Sequence, residues 1–136
     1  MSEIISTLKK VEQRRAKFAW DCAKAAKANS TVKFDEYKSY AKSLPMLIKS
    51  GGLGPTLAFI RSKAKNKTGE NTAYGQIYDD ISKYFQQEHK KHIIDLSKAE
   101  LVEKVIDIDM AQYRSVTIET LAFMQWLRRF ADGLGK

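Results

Sequence analysis

The helical spacing of the apolar residues is the feature that most restricts the fold. From about residue 3 to residue 29, apolar side chains recur at steps of three and four, as on an amphipathic helix: Ile4, Leu8, Val11, Phe18, Cys22 and Ala25. The 136 residues include two prolines and seven glycines, too few for the many turns of a β-sandwich or barrel. We therefore expect an all-α fold, a compact single-domain bundle of five to six helices spanning residues 1–136.

The same spacing predicts five further helices, of which the last is the most apolar and is expected at the centre of the bundle. Pro45 should kink or split the second helix. Ser97 is the expected N-cap of the fifth, because Glu100 three residues later completes a capping box. The expected bounds are about Asp35–Ser50, Pro55–Ala64, Thr72–Glu88, a short helix after Ser97, and Asp109–Asp132.

Two segments between helices look suited to binding phosphate or nucleic acid. The glycine-rich turn at Ser50–Pro55 lacks the lysine and hydroxyl residue that complete a phosphate-binding loop, so we interpret it as a helix-to-helix turn. Residues 63–72 are almost free of apolar side chains and contain Lys63, Lys65 and Lys67. This stretch is expected to form a flexible basic loop.

Few residues are placed for catalysis or metal binding. Cys22 is the single cysteine, which excludes an intrachain disulfide and a cysteine-based zinc site. His89 and His92 flank two lysines, and no third ligand is near them in the sequence. The adjacent carboxylates Asp79 and Asp80 would point about 100° apart on a helix, so they cannot share one ligand position. We expect no enzyme activity, no cofactor, no metal and no small-molecule substrate.

The sequence also predicts a cytoplasmic protein without a membrane partner. No apolar stretch approaches the roughly 20 residues that a transmembrane helix needs. The first residues lack the basic leader and apolar core of a secretory signal.

Net charge is the compositional feature that points to a partner. Twenty-four lysines and arginines against 16 aspartates and glutamates give a charge of +8, which attracts polyanions such as nucleic acid. A basic row on the first helix would span about 25 Å and could follow several phosphates. A basic face that simply stays hydrated is the alternative. The candidate binding residues are Lys10, Arg14, Lys17, Lys24, Lys27, Arg61, Lys63, Lys65, Lys67, Arg114 and Arg129.

Two stretches resemble the small helical subunit of the type III-B CRISPR effector complexes, the Cmr complexes. The first is Tyr37-x-x-Tyr40-x-Lys42-x-Leu44-Pro45-Met46-Leu47-Ile48, followed by Gly52-Leu53-Gly54 and Leu57-Ala58-Phe59. The second is Tyr113-Arg114, Glu119-x-Leu121 and the run Trp126-Leu127-Arg128-Arg129-Phe130-Ala131. The resemblance covers essentially the whole chain. It implies a helical protein without an active site, present in several copies beside the repeated backbone subunits and the large subunit, along the groove where guide RNA pairs with target RNA.

Charge and resemblance together predict a non-catalytic subunit that supports assembly and contacts the backbones of guide and target RNA. Base pairing reads the sequence in such complexes, so lysines and arginines along the backbone suffice. Leu44, Trp126 and Phe130 are expected to pack inside the protein. Arg128 and Arg129 could bind RNA or pair with acidic groups of a partner, and a pure protein scaffold without RNA contact remains the alternative function.

Overall fold

Six α-helices and one short 3-10 helix form the structure, a computed structural model that describes residues 2–135. The predicted all-α bundle is therefore confirmed. The elements are α1 Ser2–Ala28, α2 Phe34–Gly51, α3 Leu53–Ser62, α4 Ala73–Gln86, the 3-10 helix Glu88–Lys90, α5 Leu101–Val105 and α6 Met110–Leu134. No helix among these is both long and apolar enough to cross a bilayer.

The long helix α6 packs against both α1 and α2, and α2 packs against α1, α3, α4 and α6, so the central place predicted for α6 is shared with α2. Phe18 lies against Phe123 and Lys27 reaches the carbonyl of Leu134, so α1 and α6 run in the same direction. Lys38, near the start of α2, lies close to Asp132, near the end of α6. Helix α2 therefore runs antiparallel to α6. The two long helices thus flank α6 with opposite directions.

Stacked aromatic rings join three helices at the centre of the core. Tyr84 of α4 stacks on Phe123 of α6 with ring centroids 4.6 Å apart, and Phe18 of α1 meets Tyr84 edge-on at 5.7 Å. Aromatic pairs in these arrangements contribute about 0.5–1.5 kcal/mol each beyond the burial of their surface. Leu44 is buried as expected, while Trp126 and Phe130 are half-buried and stack on each other at 5.7 Å.

Side-chain caps and one glycine set the helix boundaries. The Thr72 hydroxyl accepts a hydrogen bond from the Gly75 amide at the start of α4, and the Asp109 carboxylate accepts one from the Gln112 amide at the start of α6. Gly52 separates α2 from α3 with a φ of 96°, a conformation that favours glycine. Its amide donates to the Ile48 carbonyl at 2.9 Å and ends α2.

Three details differ from the sequence-based expectations. The capping box at Ser97 is wrong: α5 starts at Leu101 with Glu100 as N-cap, and the Ser97 amide instead donates to the Asp95 carboxylate in a turn. Pro45 does not split α2, which continues through it as one helix, while the alternative of a kink stays a prediction. The apolar residues Ile4 and Leu8 are 64% and 61% exposed, because no other described element covers the start of α1.

The loop of residues 63–72 is held together by its own polar groups. The Asn66 side-chain oxygen accepts hydrogen bonds from the amides of Thr68 and Glu70. Lys65 and Asn71 form an isolated antiparallel bridge, and Gly69 adopts a φ of 84°. The flexibility expected of this loop stays a prediction.

The start of α4 packs directly on the backbone that follows α3. A methyl group in place of the Gly75 hydrogen would overlap the carbonyl of Ala64, which is itself the acceptor of the Thr72 amide at 2.9 Å. The Thr72 hydroxyl also donates to the Lys63 carbonyl at 2.5 Å. The two backbones can approach this closely because position 75 has no side chain.

Gly75→Ala is therefore expected to lower the free energy of unfolding by about 1–3 kcal/mol, the usual cost of overpacking. Gly133→Ala is the matched control, because a methyl group there meets no atom within 4 Å and alanine favours the helix by up to about 1 kcal/mol. Urea denaturation followed by circular dichroism measures both. Equal stability of the two variants would contradict the close packing at Gly75.

A buried carboxylate links α4 to α2. The Tyr37 hydroxyl donates to Asp80 at 2.6 Å and the Gln76 amide donates to it at 3.0 Å. Burial raises the pKa of Asp80 to about 7, although these two hydrogen bonds oppose the shift. The folded protein consequently holds the Asp80 proton more tightly than the unfolded chain does.

Asp80 contributes stability below its ordinary pKa of 3.8, and this contribution is lost as the pH rises towards about 7. Asp80→Asn should therefore gain stability relative to the wild type as the pH rises from 5 to 7, by up to about 1.4 kcal/mol for each pH unit. Asp107→Asn, at an exposed position, is the control and should show no such trend. Urea titrations at a series of pH values test this, and a pH-independent difference for Asp80→Asn would refute it.

Candidate nucleic-acid interface

Four predicted cations form a row on the outer face of α1, which we call the outer row: Lys10, Arg14, Lys17 and Lys24. All four are exposed and lie opposite the buried face of the helix, which is centred on Ala19 and Ala26. Fourteen residues separate the first from the last, so the row extends about 21 Å. Lys17 pairs with Asp21 at 3.1 Å, while the other three make no ion pair with the described residues.

Lys27, at the end of α1, is engaged within the protein. Its ammonium group donates to the Leu134 carbonyl and lies 5.7 Å from the centre of the Phe34 ring. A cation at the end of α6 also interacts favourably with the helix dipole. Lys27 therefore holds the ends of α1 and α6 together and is less available to a ligand than the outer row.

The cations of α3 and the following loop are partly neutralised. Arg61 pairs with Glu100 at 2.8 Å, an exposed ion pair that links α3 to the N-cap of α5. Lys65 donates to the Asn71 side chain at 2.6 Å. Lys63 and Lys67 are exposed and make no ion pair with the described residues. The Asn71 amide is neutral, so Lys63, Lys65 and Lys67 all keep a charge that no carboxylate of the described residues compensates.

The structure brings five cations together in a groove between α2 and α6. The groove encloses about 810 Å³. The cationic lining of the groove consists of Lys38, Lys42, Lys49, Arg128 and Arg129. Of these five residues, only Arg129 was among the candidates from the sequence.

Charge is unevenly distributed along this α2–α6 groove. Asp35 and Asp132 line the end near Lys38, where Lys38 and Asp132 are 4.0 Å apart. Arg128 and Arg129 are exposed and form no ion pair inside the described part of the chain. Arg114 lies on the same outer arc of α6 but about 21 Å before Arg128, outside the groove.

Sequence reasoning missed most of the groove because its residues are distant in the chain. Lys38, Lys42 and Lys49 recur at steps of four and seven, so one arc of α2 is visibly basic from the sequence. The missing information is that α6 lies antiparallel beside that arc and adds its arginines to it. No local pattern reports which helices are neighbours.

One basic residue of α1, Arg15, is buried in an ion network rather than exposed. Its guanidinium donates to Glu119 of α6 at 3.0 Å and to the Tyr84 hydroxyl at 3.1 Å, and it also pairs with Glu12. Glu119 accepts two further hydrogen bonds, from Tyr84 at 2.5 Å and from the ammonium group of Lys90 at 2.6 Å. This network joins α1, α4, the 3-10 helix and α6.

The acidic and histidine residues considered as metal ligands either have other hydrogen-bond partners or lie outside any described group that could hold a metal ion. Asp79 accepts a hydrogen bond from Asn71 at 2.7 Å, Asp80 binds Tyr37, and Asp109 caps α6. Within the described residues, no three His, Cys, Asp or Glu side chains group closely enough to hold a metal ion.

Comparison with known proteins gives consistent results. A family model described as CRISPR-associated protein (Cas_Cmr5) matches residues 11–134. The chain belongs to the Cmr5 family. The resemblance seen in the sequence is thereby confirmed, and the Cmr5-family match includes the outer row except for Lys10, as well as the whole α2–α6 groove.

A curated sequence and a solved structure, both from Thermus thermophilus, illustrate the Cmr5 match. The CRISPR system Cmr subunit Cmr5 is 29% identical over 99 residues, which are 73% of this chain and 75% of that protein. The crystal structure of a CRISPR-associated Cmr5 family protein superposes with a TM-score of 0.70 at 25% sequence identity. That superposition covers 92% of this chain and 96% of the other.

A segment with three exposed apolar residues precedes the residues that match the Cmr5 family. Residues 2–10, which we call the arm, form the exposed start of α1 and include Ile4, Ile5 and Leu8. Below the arm, an apolar cleft of about 420 Å³ is closed on one side by Trp126. The indole of Trp126 donates to Glu12 at 2.9 Å, which fixes the wall of the cleft.

The network around Glu119 gives a prediction for stability. Burial alone would raise the pKa of Glu119, but hydrogen bonds from Lys90, Tyr84 and Arg15 outweigh it and lower the pKa to about 2. Glu119→Gln leaves the buried Lys90 without a negative partner and leaves Arg15 with only the exposed Glu12, so it should cost about 3 kcal/mol at pH 7.

The cost should shrink on acidification, because the wild type itself loses this contribution as the pH falls from 4.5 towards about 2. Chemical denaturation at pH 7 and at pH 3 measures the difference. Glu103→Gln, at an exposed position of α5, serves as the control and should have little effect at either pH. A cost for Glu119→Gln that stays constant with pH would contradict the network.

Proposed function

We propose that this protein is a non-catalytic small subunit of a type III-B Cmr effector complex that contacts the backbones of guide and target RNA. Membership of the Cmr5 family supports its place in such a complex, since a Thermus relative is named a Cmr subunit. Its partners there are the backbone and large subunits, and the assembly works in the cytoplasm.

The observation that carries this proposal is the position of the unpaired cations. Of the described lysines and arginines, only six take part in ion pairs: Arg15, Lys17, Lys38, Arg61, Lys90 and Lys91. Most of the others lie at the surface, and several are gathered in the outer row and the α2–α6 groove. Free cations arranged along a line suit a polymer that carries regularly spaced phosphates.

Such contacts need no base-reading pocket. In RNA-guided recognition the guide selects the target by base pairing, and the protein holds the resulting strands through their backbone and shape. Lysines on an exposed helix face add affinity that is independent of sequence and decreases with salt. The outer row would act in this way, with Arg61, the loop lysines Lys63, Lys65 and Lys67, and Arg114 as further contacts.

A pure scaffold is the second candidate, and the exposed apolar arm favours it. Apolar side chains at the surface are typical of contacts with other proteins. Ultraviolet crosslinking in the purified complex separates the two functions. RNA adducts on this subunit are expected, whereas protein adducts alone would favour the scaffold.

Reversing the charge of the outer row should weaken RNA binding by the purified chain. If about five phosphates are neutralised, log affinity of the wild type should fall with log salt at a slope near −3.5 for single-stranded RNA. Changing Lys10, Arg14, Lys17 and Lys24 together to Glu should reduce the affinity and make the slope shallower. Fluorescence polarisation over a salt series measures both quantities.

The control carries the same charge change at four exposed lysines outside the outer row and the groove: Lys33, Lys83, Lys91 and Lys98. It should lose less affinity than the outer-row variant, and both should keep the helicity of the wild type. Equal losses in the two variants would show that net charge, rather than the outer row, attracts the RNA.

A further inference from the structure

We infer that two copies of this chain dimerise through the start of α1, with the arm of each copy lying antiparallel across the apolar cleft of the other. The inference adds a partner to the proposed function and does not depend on RNA binding. Three observations on residues 5–16 support it: the exposed apolar surface, the order of the residues that line the cleft, and the position of the two charges among them.

The arm and the apolar cleft leave apolar surface in water. Ile5 and Leu8 are 51% and 61% exposed, and both line the cleft of about 420 Å³. The half-buried Trp126 closes it on one side, where its indole is held by Glu12. Removing apolar surface from water is the dominant favourable contribution to most protein association. The cleft is therefore a surface that gains from a partner.

The α1 residues that line the cleft form three pairs about one midpoint. The pairs are positions 5 and 16, 8 and 13, and 9 and 12, each centred between positions 10 and 11. If a two-fold axis passes through that midpoint, each residue faces the other member of its pair in the second copy. Ile5 then lies on Ala16 and Trp126 of the second copy, and Leu8 lies on Gln13. The larger apolar side chains of each arm thereby fill the cleft of the other copy.

The two charged residues of the lining determine the orientation. In the antiparallel pair, Lys9 of each copy faces Glu12 of the other, which gives two ion pairs. A parallel pair would place Lys9 on Lys9 and Glu12 on Glu12, so both contacts would be repulsive. Lys9 makes no ion pair within residues 2–135, and the Glu12 carboxylate is held in place by Arg15 and Trp126. This charge pattern is complementary to itself, which favours a second copy as the partner.

The contact is small, and it leaves the outer row exposed. Seven residues line the cleft, whereas an interface of standard size uses about 20–30 residues on each partner. We therefore expect a weak dimer that forms at micromolar concentrations of the chain. Arg14 of the outer row is nine residues from Ile5 and lies about 180° around the helix from it. The dimer consequently keeps in water the cations that the proposed function assigns to RNA.

Sedimentation equilibrium of the full-length chain without RNA measures the dimer, from about 5 to about 500 µM. At about 0.15 M salt, the repulsion between two copies of charge +8 is largely screened beyond about 8 Å. Ile5→Glu places a charge on the apolar surface of the second copy, so it should raise the dissociation constant tenfold or more. Ile118→Glu is the matched control, because Ile118 is 68% exposed on α6 and does not line the cleft. This control should dimerise as the wild type does.

Opposite charge changes test the two ion pairs. Lys9→Glu alone and Glu12→Lys alone each place like charges opposite one another, so each should dimerise roughly tenfold more weakly than the wild type. A mixture of the two variants should regain affinity, because the facing charges of unlike copies again have opposite signs. Melting curves establish that both variants are folded. A mixture that associates no more tightly than either variant alone would overturn the pairing of Lys9 with Glu12.

Cysteine crosslinking tests the orientation. A mixture of Ile5→Cys and Ala16→Cys chains should oxidise to a mixed dimer, because the two positions face each other. Ile5→Cys alone should stay uncrosslinked, since the two copies of position 5 would lie eleven residues apart along the paired helices, about 16 Å. The native Cys22 is buried and does not take part. Ready crosslinking of Ile5→Cys to itself would overturn the antiparallel arrangement.

A wild-type chain that remains monomeric over the whole concentration range would overturn the dimer. If Ile5→Glu then lowers the recovery of this subunit in the purified Cmr complex, the arm docks on a different subunit and its assignment to a second copy is wrong. Neither result affects the proposed function, which rests on the outer row. That proposal fails only if the chain shows neither RNA binding nor an RNA crosslink.

Discussion

The position of α1 against α6 depends on one carboxylate, Glu119, which receives hydrogen bonds from three other elements. Arg15, Tyr84 and Lys90 all donate to it from positions shielded from solvent. A buried ion pair needs such additional hydrogen bonds to offset the cost of removing charge from water. Because the network also reaches α4 and the 3-10 helix, it fixes how these elements pack around α6.

This arrangement separates the cations of the protein into two kinds. Arg15 and Lys90 are enclosed and paired, and they determine how the helices pack. Most cations of the outer row and of the α2–α6 groove lie in water without an ion pair, so they can meet a ligand without first losing an internal partner, and Lys17 and Lys38 are the exceptions. A basic composition therefore has both a structural and a binding use, and the number of cations alone does not distinguish them.

Much of the fold follows from local patterns in the sequence. The spacing of apolar residues gave the helices, and Thr72 and Asp109 cap the helices that were expected to begin near them. Patterns failed where the outcome depends on neighbours. Ser97 and Glu100 match a capping box, but the segment between them turns and the helix starts later. Ile4 and Leu8 continue the apolar stripe of α1, yet the stripe extends beyond the elements that could bury it.

The candidate site shows the same division. The outer row is contained in one helix, so its common face could be predicted from spacing alone. The α2–α6 groove combines residues about 90 positions apart and depends on the antiparallel contact of two helices, which no spacing reports. The burial of Arg15 was equally difficult to predict, since a buried and a solvated arginine on a basic helix have similar neighbours in the sequence.

The 27 residues of α1 form one helix of about 40 Å, and its side-chain hydrogen bonds to other helices begin at Glu12. The exposed apolar side chains of the arm and the cations of the outer row consequently lie on the same helix. A protein that binds the arm would also fix the direction of the outer row. Docking of the subunit would then align its cations with an RNA strand in the same step.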